Sequence, residues 1–177
     1  MDLLLILSQE HDKLPLAELR AVLEIEEIET EMEIVCPGLV ILRNLDEDVF
    51  DDYYRIFVKR LGYTHEVHQL IDECDYEDLD SAVKAIDWSE YVDENFAVRV
   101  KRFNTEIDTV ATERRVGHLI LTNTENISVN LSNPKSFIRV VAHQSHVYIC
   151  FGKYRLFRKL KLLDTCAVQE LSTGGCG

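Results

Sequence analysis

Residues 3–7 read Leu-Leu-Leu-Ile-Leu, five large aliphatic side chains without a break. Such a run is far short of the roughly 18 to 20 apolar residues needed to span a bilayer, and exposing either face of it is costly, so it is expected to be a strand covered on both sides. No basic region precedes it, so the run is not expected to be a secretory leader, and no other stretch is long and uncharged enough to cross a membrane as a helix. With 177 residues and 46% hydrophobic content the chain can bury a core in one domain or two small ones. The five cysteines (Cys36, Cys74, Cys150, Cys166, Cys176) are scattered and form no C-x-x-C pair. Together these features read as a soluble, cytoplasmic protein in a reducing compartment with no membrane partner.

The run is followed by a regular order of patterns. Pro15 opens a stretch in which Leu16, Leu19, Val22 and Leu23 recur at helical spacing. Glu33–Cys36 and Leu39–Leu42 then flank Pro37-Gly38, where proline fixes one dihedral and glycine supplies the positive φ of a type II turn, so the two segments predict a hairpin. A second helix is expected from about Asp48, burying Val49, Phe50, Tyr53, Ile56, Phe57 and Leu61 and stopping at Gly62 as its C′ residue. Tyr63–Ile71 reads as a fourth strand. The order β-α-β-β-α-β describes a ferredoxin-like split βαβ unit, assigned to residues 1–73. Such a unit hosts many activities and fixes none.

A second α+β domain is expected over 74–160, with 161–177 as a tail or linker. It opens on a short helix within 75–90, where Tyr76, Leu79, Val83 and Ile86 lie at helical spacing ahead of Trp88. Phe96–Phe103 is a strand in which Phe96, Val98 and Val100 share one face, leaving Arg99 and Lys101 together on the other. A helix is expected over Thr105–Ile120, with Asp108 in its first turn and Arg114-Arg115 toward its C-terminal half. Gly117 costs that helix roughly 1 kcal/mol against alanine, which points to close approach of another backbone. Strands are predicted at 127–131, 137–142 and 146–152, with Asn133-Pro134 turning between the first two.

A net charge of −13 argues by itself against a polyanion partner, but the charges are unevenly placed. Residues 1–96 hold 26 of the 32 acidic and 7 of the 19 basic side chains, a net of −19; residues 97–177 hold the remaining 6 and 12, a net of +6. The asymmetry fits either an acidic half joined to a nucleic-acid-facing half or two unequal solvated surfaces.

The sequence holds no recognisable catalytic motif. None of the seven glycines lies in a turn between a strand and a helix, where a nucleotide or S-adenosylmethionine cofactor needs close backbone amides, and Gly174-Gly175 falls in the tail. No serine or cysteine has the sequence context of an activated nucleophile. The acidic stretches Glu24–Glu33 and Asp46–Asp52 read as solvated helix ends and loops. His65-x-x-His68 and His143-x-x-His146 lack the further ligands of a tetrahedral site and are expected to face solvent or neighbouring side chains. What remains is the basic set: Arg99, Lys101, Arg102, Arg114, Arg115, Lys135, Arg139, Lys153, Arg155, Arg158, Lys159 and Lys161. Tyr154 and Phe157 interleave with the last of these, either as stacking surfaces for unpaired bases or as ordinary core.

The ordered segments Phe96-Ala-Val-Arg-Val-Lys-Arg-Phe103, Val116-Gly-His-Leu-Ile120, Val129-Asn-Leu-Ser-Asn-Pro134, Phe137-Ile-Arg-Val-Val141 and Tyr148-Ile-Cys-Phe-Gly152 resemble a THUMP domain. The resemblance covers residues 75–155, and a ferredoxin-like domain ahead of it extends the likeness over nearly the whole chain. The form with Asn130-Leu-Ser-Asn-Pro134 is most similar to archaeal tRNA guanosine N2-methyltransferases. The resemblance implies a platform that grips tRNA, typically at its single-stranded acceptor end, while a Rossmann-like domain carrying S-adenosylmethionine and a D/N-P-P-Y-type motif performs the reaction, in the same chain or in a partner protein. Asn133-Pro134-Lys135 is no substitute for that motif, so no cofactor and no active site are expected in these 177 residues.

Carried over residue by residue, Arg99, Lys101 and Arg102 match the family's basic strand, and Asn133, Pro134 and Arg139 match a second segment. The expected RNA-binding set is Arg99, Lys101, Arg102, Arg114, Arg115, Asn133, Lys135, Arg139, Lys153, Arg155, Arg158 and Lys159. The rival readings are a THUMP module of a thiolating or deaminating tRNA enzyme, an acidic protein-interaction domain, and an enzyme whose site assembles only in space.

Overall fold

The computed structural model describes residues 1–153; the side chains of Phe50, Tyr54, Val58 and Lys153 lie outside that description. The chain divides into two compact units with the change-over between Val67 and His68.

In the first unit β1 (Asp2–Leu7), α1 (Leu14–Ile25), β2 (Glu31–Cys36), β3 (Leu39–Arg43), α2 (Phe50–Arg60) and the start of β4 (Thr64–Asp75) follow in order. The sheet runs β2-β3-β1-β4, with β1 and β2 each antiparallel to β3. Leu3 to Leu7 are all buried, as an uninterrupted aliphatic run requires. Leu3, Leu5 and Leu7 pack with Val40 and Leu42 of β3, with Leu19, Val22 and Leu23 of α1, and with Phe57 and Leu61 at the end of α2. Both helices therefore share one face of the sheet, the ferredoxin-like arrangement. Gly38 has φ +85°, the left-handed value that the hairpin turn demands.

Gly62 follows α2, but its φ is not positive. The chain instead leaves the helix through extended Leu61, and the Glu18 carboxylate accepts from the amides of Gly62 and Tyr63, each at 2.9 Å. A side chain from α1 thus takes the two amides that a left-handed turn would direct back to the last helical carbonyls.

The second unit contains the end of β4, α3 (Leu79–Ala85), β5 (Asn95–Phe103), α4 (Thr109–Asn123), β6 (Ser128–Val129), β7 (Ser136–His143) and β8 (His146–Lys153). Its sheet runs β4-β8-β7-β5-β6. β5 is parallel to β7 and β6, while β8 is antiparallel to β7 and β4. The core joins Phe96 and Val98, Ile138 and Val140, Val147 and Ile149 to Leu79 and Val83 of α3 and to Val116 and Ile120 of α4. Trp88 is buried beside them, its indole N–H donating to the Val83 carbonyl at 2.8 Å, so the ring's one polar atom is satisfied.

Three expectations need correction. The helix expected from Thr105 begins at Thr109, because Asp108 is its N-cap and accepts from the Ala111 amide at 2.9 Å. Arg114 and Arg115 consequently sit near its middle. The strand expected at 127–131 shrinks to Ser128–Val129, since Asn130 turns the chain by accepting from the amides of Ser132 and Asn133. Gly117 faces no backbone: a Cβ there would meet only the Val98 Cγ2 methyl, at 3.9 Å.

Candidate nucleic-acid interface

β6 is two residues long, so beyond Phe96 β5 has no strand on its outer side and its outward amides need other partners. Glu113 of α4 supplies one, its Oε1 accepting from the Val100 amide at 2.9 Å. The second oxygen of the same carboxylate lies 3.6 Å from the Arg99 guanidinium. Arg99 also donates to the carbonyls of Val98 (2.9 Å) and Leu131 (3.5 Å). The arginine is thereby held across the open side of β5, tied to the loop after β6.

Arg99 and Arg114 line one groove of about 400 Å3, together with Glu113 and His118 and the apolar side chains of Phe96, Val98, Val110, Leu121, Val129 and Leu131. α4 explains the arrangement. Thr112, Val116 and Ile120 form the stripe that it buries, while Val110, Arg114, Gly117, His118 and Leu121 recur at steps of three and four along the groove. Two of the expected cations converge here.

The other cations are dispersed. Lys101 lies with its ammonium 5.7 Å from the Phe103 ring. Arg102 is exposed and donates to the Ile107 carbonyl at 3.4 Å. Arg115 points toward α3, 2.8 Å from Asp80 and over the Tyr76 ring at 5.1 Å. Lys135 is ion-paired to Glu94, and its amide donates to Asn95 Oδ1. Asn133 is exposed in the turn shaped by Asn130. Arg139, in register with Arg99 on β7, is only 8% exposed and stacks on Phe137 at 5.0 Å. The side chain of Lys153 and all of Arg155, Arg158, Lys159 and Lys161 fall outside the described residues, as do Tyr154 and Phe157.

Sequence reasoning missed Glu113, His118 and the apolar walls of the groove. A signal was present in the second hydrophobic stripe of α4, where Val110 and Leu121 recur on the helix face that also carries Arg114.

The four described glycines form no cradle for a nucleotide cofactor. Gly38 turns a hairpin, Gly62 follows a helix, Gly117 lies inside one, and Gly152 lies in β8, where a Cβ would come within 2.7 Å of His68 Nδ1. None of these four opens a helix after a strand, as a cradle for S-adenosylmethionine requires. Among the described residues no group of three or more His, Cys, Asp or Glu side chains is placed to hold a metal ion, and no helix is long and apolar enough to cross a membrane.

Residues 73–151 match the THUMP domain family. Over this stretch the chain is similar to THUMP domains. It is 38% identical over 141 residues to the tRNA (guanine(10)-N2)-dimethyltransferase of Methanothermobacter thermautotrophicus, covering 80% of this chain and 40% of that protein. It is 28% identical over 167 residues to the enzyme of the same name from Methanocaldococcus jannaschii, covering 81% of this chain and 45% of that one. The chain thus spans less than half the length of these curated relatives. Its fold is similar to the crystal structure of PH1313 from Pyrococcus horikoshii Ot3, with a TM-score of 0.62 at 19% identity over 86% of this chain and 54% of that one. The matched residues include the end of β4, α3, β5, α4, β6, β7 and most of β8, and the residues lining the groove all fall among them.

Proposed function

We propose that this chain is the RNA-binding part of an S-adenosylmethionine-dependent tRNA guanosine N2-methyltransferase and positions tRNA for a Rossmann-like catalytic domain that lies elsewhere, in the same chain or in a partner. The observation that carries this reading is a match to THUMP domains in a chain resembling two curated tRNA dimethyltransferases. Residues 73–151 carry 8 basic and 13 acidic side chains, a net of −5, so the reading draws support not from the net charge of the matched segment but from its distribution, with 7 of the 8 basic residues lying from Arg99 onward. The division into a front domain over 1–73, a THUMP domain over 74–160 and a linker over 161–177 belongs to the same proposal. Arg102 and Arg114 are the exposed cations best placed to meet phosphate. Arg99 assists from the groove, whereas Arg115, Lys135 and Arg139 have structural work in ion pairs or ring stacking.

The test is affinity for tRNA, with and without its single-stranded 3′ end, measured over a salt series. Binding should weaken as salt rises, and substituting Arg102 or Arg114 by alanine should each lower the salt slope by about 1. Binding that is absent, or indifferent to salt and to the tRNA end, overturns the RNA reading. Methyl transfer from labelled S-adenosylmethionine by this chain alone overturns the placement of catalysis elsewhere.

A further inference from the structure

Four large hydrophobic side chains among the described residues of the second unit are left exposed: Val110, Leu121, Val129 and Leu131, the last by 62%. All four line the groove between α4 and the β5–β6 edge, and two arginines stand in the same groove. Leu131 is held there by the Arg99 guanidinium, which donates to its carbonyl, so the exposed side chain belongs to a tethered loop.

We propose that this groove takes a single unpaired nucleobase, with the flat heterocycle between the aliphatic walls and the adjoining phosphate on Arg99 and Arg114. The proposal rests on the RNA-binding reading above and adds the subsite. A volume of about 400 Å3 lies in the range of roughly 300 to 1,000 Å3 usual for small-ligand sites. The apolar walls offer contact to a base face, which in a duplex is covered by the neighbouring pairs, so only a base out of the stack can enter. His118 stands along the groove with its imidazole available to the base edge, while the Glu113 oxygens are already taken by the Val100 amide and Arg99. The cations decide against other occupants. A second copy of the chain would bring Arg99 and Arg114 against the same arginines across a two-fold contact, and an apolar peptide would partly desolvate them with no anion in return.

The probe is a short oligoribonucleotide in three forms: single-stranded, single-stranded with abasic sites, and annealed into a duplex. Binding by the whole chain is followed by fluorescence anisotropy for the natural protein and for Leu131→Ser and Leu121→Ser. Both changes remove apolar wall without altering charge, at exposed positions where the fold tolerates them, and circular dichroism verifies that it does. The expected result is roughly a tenfold loss of single-strand affinity in the variants, the size expected for removing one leucine's apolar contact, with no change for the abasic or duplex forms. Equal affinity of natural protein and variants for the intact single strand overturns the groove while leaving the RNA reading intact. Failure of the natural protein to bind any of the three removes both. Sedimentation that finds a dimer in the natural protein and a monomer in the variants also overturns the subsite, and marks the groove as an interface between copies.

Discussion

Single residues carry more of the second unit's geometry than their sequence context suggests. Gly152 is the clearest case: His68, buried and stacked on Phe137, fills the space where a Cβ at 152 would sit. Because a buried ring has nowhere to swing, Gly152→Ala should cost about 1 to 3 kcal/mol, read as a lower urea midpoint with unchanged m-value. Glu113 is a second case, serving the Val100 amide and the Arg99 guanidinium with one carboxylate. Glutamine keeps an acceptor for the amide and removes the negative charge, so Glu113→Gln should raise affinity for tRNA at low salt with the thermal midpoint nearly unmoved. A lower affinity would show instead that the carboxylate contacts the ligand. The thiol of Cys74 is held above its ordinary value by burial first and then by Asp72, Asp78 and Asp75. The neutral thiol is therefore favoured in the folded state. Its contribution is intact below the unfolded thiol's value and is lost as pH climbs through the raised folded value. Alkylation of Cys74 at about pH 8.5 should accordingly be slower in the native chain than in urea.

At the scale of elements, α4 is where sequence and structure part most usefully. That a helix runs here was legible, and Arg114 and Arg115 lie on it, at its middle rather than toward its C-terminal half. Its start was not, because Thr105 and Asp108 both qualify as caps and only the position of the first turn selects Asp108. The Thr105 hydroxyl instead donates to the Gln144 carbonyl in the β7–β8 turn, a bond between residues 39 apart that local pattern cannot announce. Gly117 illustrates the converse. Sequence reasoning inferred a crowded neighbour, yet the space admits a methyl group at ordinary contact distance from Val98. Gly117→Ala should therefore stabilise the chain, by up to about 1 kcal/mol in urea denaturation, through helix propensity alone. A loss of stability would mean that the helix cannot accept the added group. The turn at Pro37-Gly38 was legible, since proline restricts the backbone and glycine admits a positive φ by covalent structure rather than by neighbours.

For the whole molecule, the decisive property is the uneven charge, −19 before residue 97 and +6 from there on. The acidic first half repels a polyanion over a distance set by salt. Replacing Glu24, Glu27 and Glu29 together by glutamine should thus strengthen tRNA binding at low ionic strength and leave it unchanged near 1 M salt, where the screening length falls to about 3 Å. An effect that persists at high salt would mean direct contact. The three carboxylates line a groove at the end of α1, far in sequence from the THUMP-like residues, so the comparison separates long-range field from local contact. The order of elements in both units, the two-sided burial of β1, the charge asymmetry and the resemblance to THUMP proteins were all determined by the sequence itself, because periodicity, turn chemistry and charge are local and additive. Which cations act together was decided only by tertiary structure. Arg99 and Arg114, fifteen residues apart, meet in one groove because α4 packs beside the open side of β5, while Arg115, the very next residue, is turned toward Asp80. A helix separates adjacent side chains by about 100°, and the packing of its buried stripe decides which of them faces the ligand.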